Sequence, residues 1–411
     1  MLQWIALSLL LSITQGFASI SDTVLEETLY GQFQAAIESS SKIKTPGYQG
    51  FTEFEQTVFV DALWDLAEEG SFRANKVLNQ EAPLHFDLSQ KLRIAILRLK
   101  YKKASSLPTD LEEELLNHLR SPSVETKVIY LIAAYEEVLL LAGASEVVSL
   151  ARTHDQFFDI VQIEDSNSEM TNDEIGDLFH NAPDVTTYMN GEYVKSVKIF
   201  MFCRTNRLYP CLMVMKNIHG DAVRDDEGKL WSNPSLASSS RGLPSYVRNG
   251  NTPAGIHTID SVMPVADSQL SFGKFRRMIL NFVPKSSNEV LIKSLLPASS
   301  HNSDWWKPAT VARDIGRNHL RIHGTGKINI DKNTPYYPFM RTSGCIAQRE
   351  NTYDGVTYKD QRNLLDSVMK AMDLDTTYAN ETNIKGILYV VEIDEQSAPV
   401  TLDDLALKGI E

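Results

Sequence analysis

The stretch SVKIFMFCRTNRLYPCLMVMKN, residues 196–217, indicates how the second half of the chain folds. Two apolar, strand-forming runs flank the polar tetrapeptide RTNR, which predicts a β-hairpin with its turn near residues 204–208. Similar strand-forming runs follow it, and one helical pattern interrupts them at 360–372. The runs cover residues 255–262, 276–283, 319–325 and 385–393. A β-rich domain with a small helical component is therefore predicted over residues 193–411.

Cys203 and Cys211 lie at comparable distances from the predicted turn of this hairpin. A disulfide across the two strands is geometrically plausible in an oxidising compartment, and two separate buried thiols are the alternative. The chain has three cysteines, so Cys345 has no partner in either case. An unpaired cysteine in an exported protein is a liability unless it is buried or used.

The first half of the chain carries helical patterns. Leu111, Leu115 and Leu119 recur at four-residue spacing, as on one face of a helix. Residues 19–160 are predicted to form a helical bundle or a stacked-helix domain, whose surface is a candidate for binding a protein partner. Residues 161–190 carry seven acidic side chains and no Lys or Arg, so 161–192 is predicted to be an acidic linker. The fold class is then α+β, with an all-helical domain followed by a β-rich domain.

The N-terminus begins with an apolar run from Trp4 to Ile13, followed by Gly16-Phe17-Ala18. The run is too short to cross a bilayer and the small residues suit a signal peptidase, so residues 1–18 are predicted to be a signal peptide. No other segment is long and apolar enough to be a transmembrane helix. The protein is therefore predicted to be exported. A net charge of −13 argues against nucleic acid as a partner.

The segment RIHGTGKINIDKNTPYYPFMRTSGCIAQRE, residues 321–350, holds His323 and Cys345. His323 ends a strand-like alternation and precedes Gly324, and Cys345 follows Gly344, so its amide emerges from a turn. A thiol, a base and backbone donors are the groups that acyl transfer through a thioester needs. An ordinary thiol of pKa ~8.5 is only ~3% ionised at pH 7, so it needs a base to lower that pKa or to accept the proton during attack. The alternative is a small buried hydrophobic residue.

These motifs resemble the catalytic pattern of the L,D-transpeptidase family. The matching residues are the pair His323-Gly324 and, 22 residues after the histidine, Thr342-Ser343-Gly344-Cys345-Ile346. Upstream, NGNTPAGIHTID, residues 249–260, is similar to the family's Thr-Pro-x-Gly loop entering a strand. The resemblance covers roughly residues 193–395 and leaves out the helical half.

The resemblance implies an enzyme that acts on peptidoglycan stem peptides. Cys345 would be the nucleophile and His323 the general base, with Gly324 orienting the imidazole through its carbonyl. The amides of Gly344 and Cys345 would form part of the oxyanion hole, in the motif that Thr342 and Ser343 complete. D-Alanine would leave, and an amine or water would then resolve the acyl-enzyme.

The sequence also departs from the family pattern around the cysteine. Ser343 stands where the family has His, and Ala347 stands where Arg is common, with Arg349 two residues further on. The interval from the histidine to the cysteine is longer than the family's usual one. Arg341 or Arg349 is a candidate to bind a substrate carboxylate, and solvated arginines are the alternative. Tyr336 and Tyr337 are candidates for a lid over the site, and ordinary loop packing is the alternative.

Competing motifs do not fit. HGTGK lacks the first Gly and the final Ser or Thr of a phosphate-binding loop, and His319 and His323 lack the intervening Glu of a zinc-protease helix. No metal or cofactor is predicted. Three functions stay open: a transpeptidase with an amine acceptor, an L,D-carboxypeptidase with water as acceptor, and a cell-wall-binding protein whose site is degenerate.

Overall fold

The structure is a computed structural model. It describes residues 72–79, 86–158, 170–184, 186–189, 192–266, 268–283 and 290–411, with the single positions 56, 59, 60, 63, 64, 67 and 160. These residues divide into two compact units. The first contains the described residues up to 160 together with Asp314–Gly316, and the second contains the others from Met170 onward. The predicted signal peptide, residues 1–18, lies outside the described residues.

The first unit is helical in its described part. Leu111, Leu115 and Leu119 are all buried, as their four-residue spacing predicts. The helices are α1 (Phe72–Leu78), α2 (Leu88–Lys100), α3 (Thr109–Leu119), α4 (Thr126–Ala134), α5 (Glu136–Leu141) and α6 (Ser145–Ala151).

The second unit contains helices around a large mixed sheet. The helices are α7 (Asn172–Asn181), α8 (Gln269–Phe272), α9 (Val290–Ser294), α10 (Lys307–Ile315), α11 (Asp360–Ala371) and α12 (Leu402–Ala406), with 3-10 turns at Ala298–Asn302 and Asn380–Asn383. The strands are β1 (Thr186–Met189), β2 (Glu192–Lys195), β3 (Val197–Arg204), β4 (Cys211–Lys216), β5 (Ser232–Ser235), β6 (Gly255–Val262), β7 (Met278–Phe282), β8 (Leu320–His323), β9 (Ile346–Ala347), β10 (Thr352–Tyr353), β11 (Val356–Thr357) and β12 (Gly386–Asp394). The predicted α+β class is confirmed.

Eight of these strands form one sheet, in the order β5-β4-β3-β12-β6-β7-β8-β9. Two pairs within it are parallel, β3 with β12 and β8 with β9. The remaining neighbours are antiparallel. The two other pairs, β1 with β2 and β10 with β11, are separate antiparallel hairpins.

The central strand β3 is buried along its whole length. Val197, Ile199 and Met201 belong to one apolar core, and Phe200 and Phe202 belong to the core on the opposite face. A strand covered on both faces needs apolar side chains at consecutive positions, which explains why the run is continuous and not alternating.

The hairpin predicted over residues 196–217 is formed by β3 and β4, in which Phe202 pairs with Leu212. Continuing this register places Cys203 opposite Cys211. The two cysteines form a disulfide, and both are fully buried. Of the two alternatives, the structure therefore contains the cross-strand bond.

The acidic segment differs from the linker predicted for residues 161–192. Residues 161–169 lie outside the described residues, but α7 is part of the second unit, where Ile175, Leu178 and Phe179 join the apolar core that contains Phe200. The helix is amphipathic and begins with a capping box between Thr171 and Glu174. The acidic composition reflects its outward face, so this part of the segment belongs to the β-rich domain.

Within the described residues, no helix combines the length and the apolar character that crossing a bilayer requires.

Candidate active site

Strands β8 and β9 bring the predicted histidine and cysteine together. They pair in parallel, with Ile322 opposite Ile346 and His323 opposite Ala347. Continuing this register places Cys345 opposite Arg321. Cys345 directly precedes β9, so its backbone lies next to the strand that carries His323. Two segments that are 22 residues apart in sequence are thus joined at one edge of the sheet.

The imidazole of His323 is held in one tautomer. Its Nδ1 lies 2.5 Å from the carbonyl oxygen of Gly324. A carbonyl can only accept, so Nδ1 must carry the proton and Nε2 is left with its lone pair. The predicted role of Gly324 in orienting the ring therefore has a matching contact. Nε2 is the nitrogen that can act as a base.

The ring of His323 is buried. Burial lowers the pKa of His323 to about 4, and the charges of Arg277 and Arg321 act in the same direction, while the bond to Gly324 opposes them. On the side of α8, Phe272 packs edge-on against the imidazole, with 5.2 Å between ring centroids. At neutral pH the ring is uncharged and is available to take up a proton.

Cys345 is half-buried and is the free thiol among the three cysteines. Its Sγ lies 3.8 Å from the carbonyl oxygen of His319. Among the described residues, no hydrogen bond joins this sulfur to the ring of His323. Catalytic hydrogen bonds are often long before substrate binds, so this resting geometry is compatible with a thiol–imidazole pair.

Burial raises the pKa of the Cys345 thiol, and the charges of Arg321, Arg317 and Arg277 offset this only in part. Arg277 and Arg321 act on the imidazole as well, which places both reactive groups in one electrostatic environment. The resting pair is therefore a neutral thiol beside a neutral imidazole. Such a pair fits general-base assistance during attack better than a preformed thiolate.

The turn before Cys345 is fixed by the loop that carries the upstream motif. Thr252 Oγ1 donates to the carbonyl oxygen of Gly344 at 3.0 Å, and Arg317 Nη2 approaches the same oxygen at 3.5 Å. Arg317 also donates to the carbonyls of Gly250 and Asn251, each at 2.7 Å. The two blocks of the resemblance, 249–260 and 342–346, are therefore in direct contact.

Gly344 meets two requirements that only glycine satisfies. Its φ is +101°, and an added Cβ would lie 2.4 Å from both Arg317 Nη2 and the carbonyl oxygen of Gly250. In the upstream motif, Gly255 is constrained in the same way, since its φ is +132° and its Cβ would lie 2.5 Å from that of Ala309 in α10. The glycines of both motifs are thus explained by close packing.

One of the two amides predicted to donate to an oxyanion is already bonded within the protein. The amide of Gly344 donates to Thr342 Oγ1 at 3.2 Å, and Thr342 Oγ1 in turn donates to the carbonyl of Cys345 at 2.6 Å. Thr342 therefore stabilises the turn, and it already accepts the hydrogen bond of the Gly344 amide, one of the two predicted oxyanion donors. Of the two predicted donors, the amide of Cys345 is the better candidate.

The predicted substrate-binding arginines have partners within the protein. Arg349 Nε forms an ion pair with Asp360 at 2.5 Å, and its guanidinium lies 4.1 Å from the ring of Tyr358. Arg341 Nη1 reaches the carbonyl of Ser239 at 3.4 Å, with its guanidinium 5.2 Å from the ring of Tyr336. Arg349 is neutralised by its own carboxylate, which makes it the weaker candidate for binding a substrate.

The other predicted residues lie in the surrounding loops. Tyr337 donates to Asp354 at 2.9 Å and packs edge-on against Tyr353, so it is braced against the β10–β11 hairpin. Tyr336 packs against the small apolar cluster that contains Phe339. Ser343 is exposed. These contacts fit the packed-loop alternative for the tyrosines.

Sequence reasoning missed Arg277, Arg317 and Glu350. All three are buried charged side chains. A buried charge lies in no motif and has no characteristic spacing, so only the fold reveals it. Of the three, Glu350 lies nearest to the cysteine in the sequence, five residues after it.

Within the described part of the chain, no group of three or more His, Cys, Asp or Glu side chains is arranged to hold a metal ion. No protein-family model, no curated protein and no solved structure matches the chain.

Proposed function

We propose that the protein is a cysteine-dependent L,D-transpeptidase of peptidoglycan, with Cys345 as nucleophile and His323 as general base. The observation that carries the proposal is the bond from His323 Nδ1 to the Gly324 carbonyl, which leaves Nε2 as the basic nitrogen of a ring whose strand pairs with the strand directly after Cys345. The resemblance of the His-Gly and Ser-Gly-Cys motifs supplies the substrate class.

The acylation step follows from these groups. Nε2 of His323 takes the proton of the thiol as Sγ of Cys345 attacks the carbonyl carbon before the terminal D-alanine of a stem tetrapeptide. The Cys345 amide donates to the oxyanion that forms. When the tetrahedral intermediate collapses, the C–N bond breaks, and the departing amine of D-alanine takes the proton from Nε2. A thioester on Cys345 remains.

Deacylation repeats the proton transfers with an acceptor amine in place of D-alanine. The amine attacks the thioester carbonyl, His323 takes its proton, and the thiol of Cys345 is regenerated. The product is an amide cross-link or an attachment to another amine. In both half-reactions, Arg277 and Arg321 favour the thiolate over the thiol, because they lower the pKa of Cys345 against the effect of burial.

An L,D-carboxypeptidase is the second candidate, and one observation favours it. Ser343 is exposed and small where the family has a histidine, so less side chain stands beside the thioester on that side. Water could then resolve the acyl-enzyme. The first half-reaction is the same in both cases.

The proposed location is the periplasm or the cell-wall space. The disulfide between Cys203 and Cys211 supports an oxidising compartment, because such bonds persist where thiols are not kept reduced. The helical unit is proposed to bind a protein partner, and a cell-wall-binding protein without activity is the remaining alternative.

The proposal is tested by incubating the purified protein with disaccharide-tetrapeptide and analysing the products by mass spectrometry. Cross-linked dimers are expected, with none from Cys345→Ala and a rate about 10²-fold to 10⁴-fold lower from His323→Ala. His301→Ala is the matched control, since Nε2 of that ring is bonded to the carbonyl of Leu296 at 3.2 Å, outside the candidate site. Tripeptide without dimer would favour the carboxypeptidase, and unchanged tetrapeptide in every sample would contradict both.

A further inference from the structure

The side chain of Glu350 lies against Gly324, the residue that follows His323. This side chain is buried, with 3% of its surface exposed. A Cβ added to Gly324 would lie 2.1 Å from the carboxyl carbon of Glu350, and one added to Gly273 would lie 2.7 Å from the same atom. The carboxyl group is therefore wedged between two glycines that belong to different segments of the chain.

Each of these two segments supplies one of the contacts that hold the imidazole of His323. Gly324 accepts the Nδ1 proton of the ring. Phe272, which packs edge-on against the ring, directly precedes Gly273. Glu350 Oε2 fixes this second segment further by accepting the amide of Lys274 at 2.5 Å. The same carboxyl group therefore lies against both segments that contact the imidazole.

Within the described part of the chain, Glu350 is not one half of an ion pair. The amide of Phe275 also donates to it, and Lys274 and Asp360 are the charges that act on it, Asp360 being paired with Arg349. Oε1 is buried and has no hydrogen-bond partner among the described residues. An unpaired buried carboxyl costs stability, which is tolerated more readily where it has a role in a functional site.

We propose that Glu350 is a positioning residue for His323, which keeps the imidazole aimed at Cys345 by spacing the Gly324 carbonyl and the Phe272 ring. This inference rests on the proposed catalytic pair. A displacement of about 1 Å in a catalytic group can cost on the order of 10²-fold in rate, so the spacing matters even though Glu350 touches neither sulfur nor substrate.

The test is the rate at which iodoacetamide alkylates Cys345, which needs no assumption about substrate. With Cys203 and Cys211 in a disulfide, Cys345 is the thiol that reacts. His323→Ala sets the rate without the base and is expected to be at least 10-fold slower than wild type. Glu350→Ala is expected to approach that rate, and the isosteric Glu350→Gln to recover most of the loss. Glu350→Asp, whose carboxyl is withdrawn from Gly324, is expected to be at least 5-fold slower than wild type.

Glu381→Gln is the matched control, because it removes another buried carboxyl, which is 1% exposed and is bonded to Arg276 and Arg362. It is expected to lower stability and leave alkylation unchanged. Folded Glu350→Ala reacting at the wild-type rate would overturn the proposal. If that variant does not fold, Glu350→Asp reacting at the wild-type rate would overturn it. Equal rates for wild type and His323→Ala would instead refute the catalytic pair, and the role of Glu350 with it.

Discussion

The hydroxyl group of Thr252 donates a hydrogen bond of 3.0 Å to the carbonyl oxygen of Gly344, across 92 positions of the chain. Thr252 is fully buried and lies in the loop that enters β6. Gly344 directly precedes the cysteine in the other motif. The bond therefore links the conformation of the upstream loop to the position of the Cys345 thiol.

Thr252→Val should lower the free energy of unfolding by about 1–2 kcal/mol, because the carbonyl of Gly344 would keep only the longer contact with Arg317. Urea denaturation measures this. Thr310→Val is the control, since the hydroxyl of Thr310 bonds within its own helix, to the carbonyl of Lys307 at 2.8 Å. Equal losses of unfolding free energy in the two variants would show that the Thr252 bond stabilises the protein no more than a bond within a helix.

Gly344→Ala should be far more destabilising than Gly355→Ala. Both glycines have positive φ, +101° and +82°, but a Cβ at Gly355 would meet nothing within 4 Å. Gly355→Ala should therefore lower the free energy of unfolding by about 1 kcal/mol, through the strained backbone conformation alone. Gly344→Ala should lower it by on the order of 3 kcal/mol or more, because the added Cβ also overlaps its neighbours. Denaturation of the two variants in parallel separates conformational strain from steric overlap. Similar costs would argue against the close packing of Gly344 on Arg317.

His323 should remain neutral down to about pH 4, because burial lowers its pKa to about 4. The ordinary value is about 6.5, so unfolding takes up a proton between these two pH values. The contribution of this histidine to stability is then fully present above pH 6.5 and is lost as the pH falls through 4. NMR titration of the ring, assigned by comparison with His323→Gln, measures the pKa. A midpoint between pH 6 and 7 would contradict a buried, uncharged imidazole.

Glu350 should make stability fall as the pH rises. Burial raises the pKa of this carboxyl to about 7, against the amides of Lys274 and Phe275, from 4.5 in the unfolded chain. The folded state therefore holds a proton that the unfolded state has lost, so the contribution of Glu350 to stability is fully present below pH 4.5 and is lost as the pH rises to 7. Relative to wild type, Glu350→Gln should gain on the order of 2–3 kcal/mol between pH 4.5 and 8. Urea denaturation of both proteins at pH 4.5 and pH 8 checks this. If the difference in unfolding free energy between Glu350→Gln and wild type is the same at both pH values, the pKa of Glu350 is not raised.

The local patterns in the sequence predict the elements that carry the site. The apolar runs of β3 and β4, the leucine spacing of α3 and the strand ending at His323 all appear where hydrophobic periodicity indicates them. Periodicity depends on neighbours within a few residues, so it can be read without knowing the fold. The acidic segment was predicted wrongly because the prediction used its composition. The acidic residues suggested a linker, whereas Ile175 and Phe179 on the apolar face of α7 lie in the core.

The sequence by itself determined the reactive residue types and their order: a histidine followed by glycine, a cysteine preceded by glycine, and a threonine-containing loop upstream. Only the tertiary structure decided that β8 and β9 pair in parallel, that Thr252 holds Gly344, and that Glu350 lies against Gly324. The physical reason is that these contacts join segments up to 92 positions apart. Burial, which sets the protonation of His323, Cys345 and Glu350, arises only when the whole sheet and its covering helices have assembled.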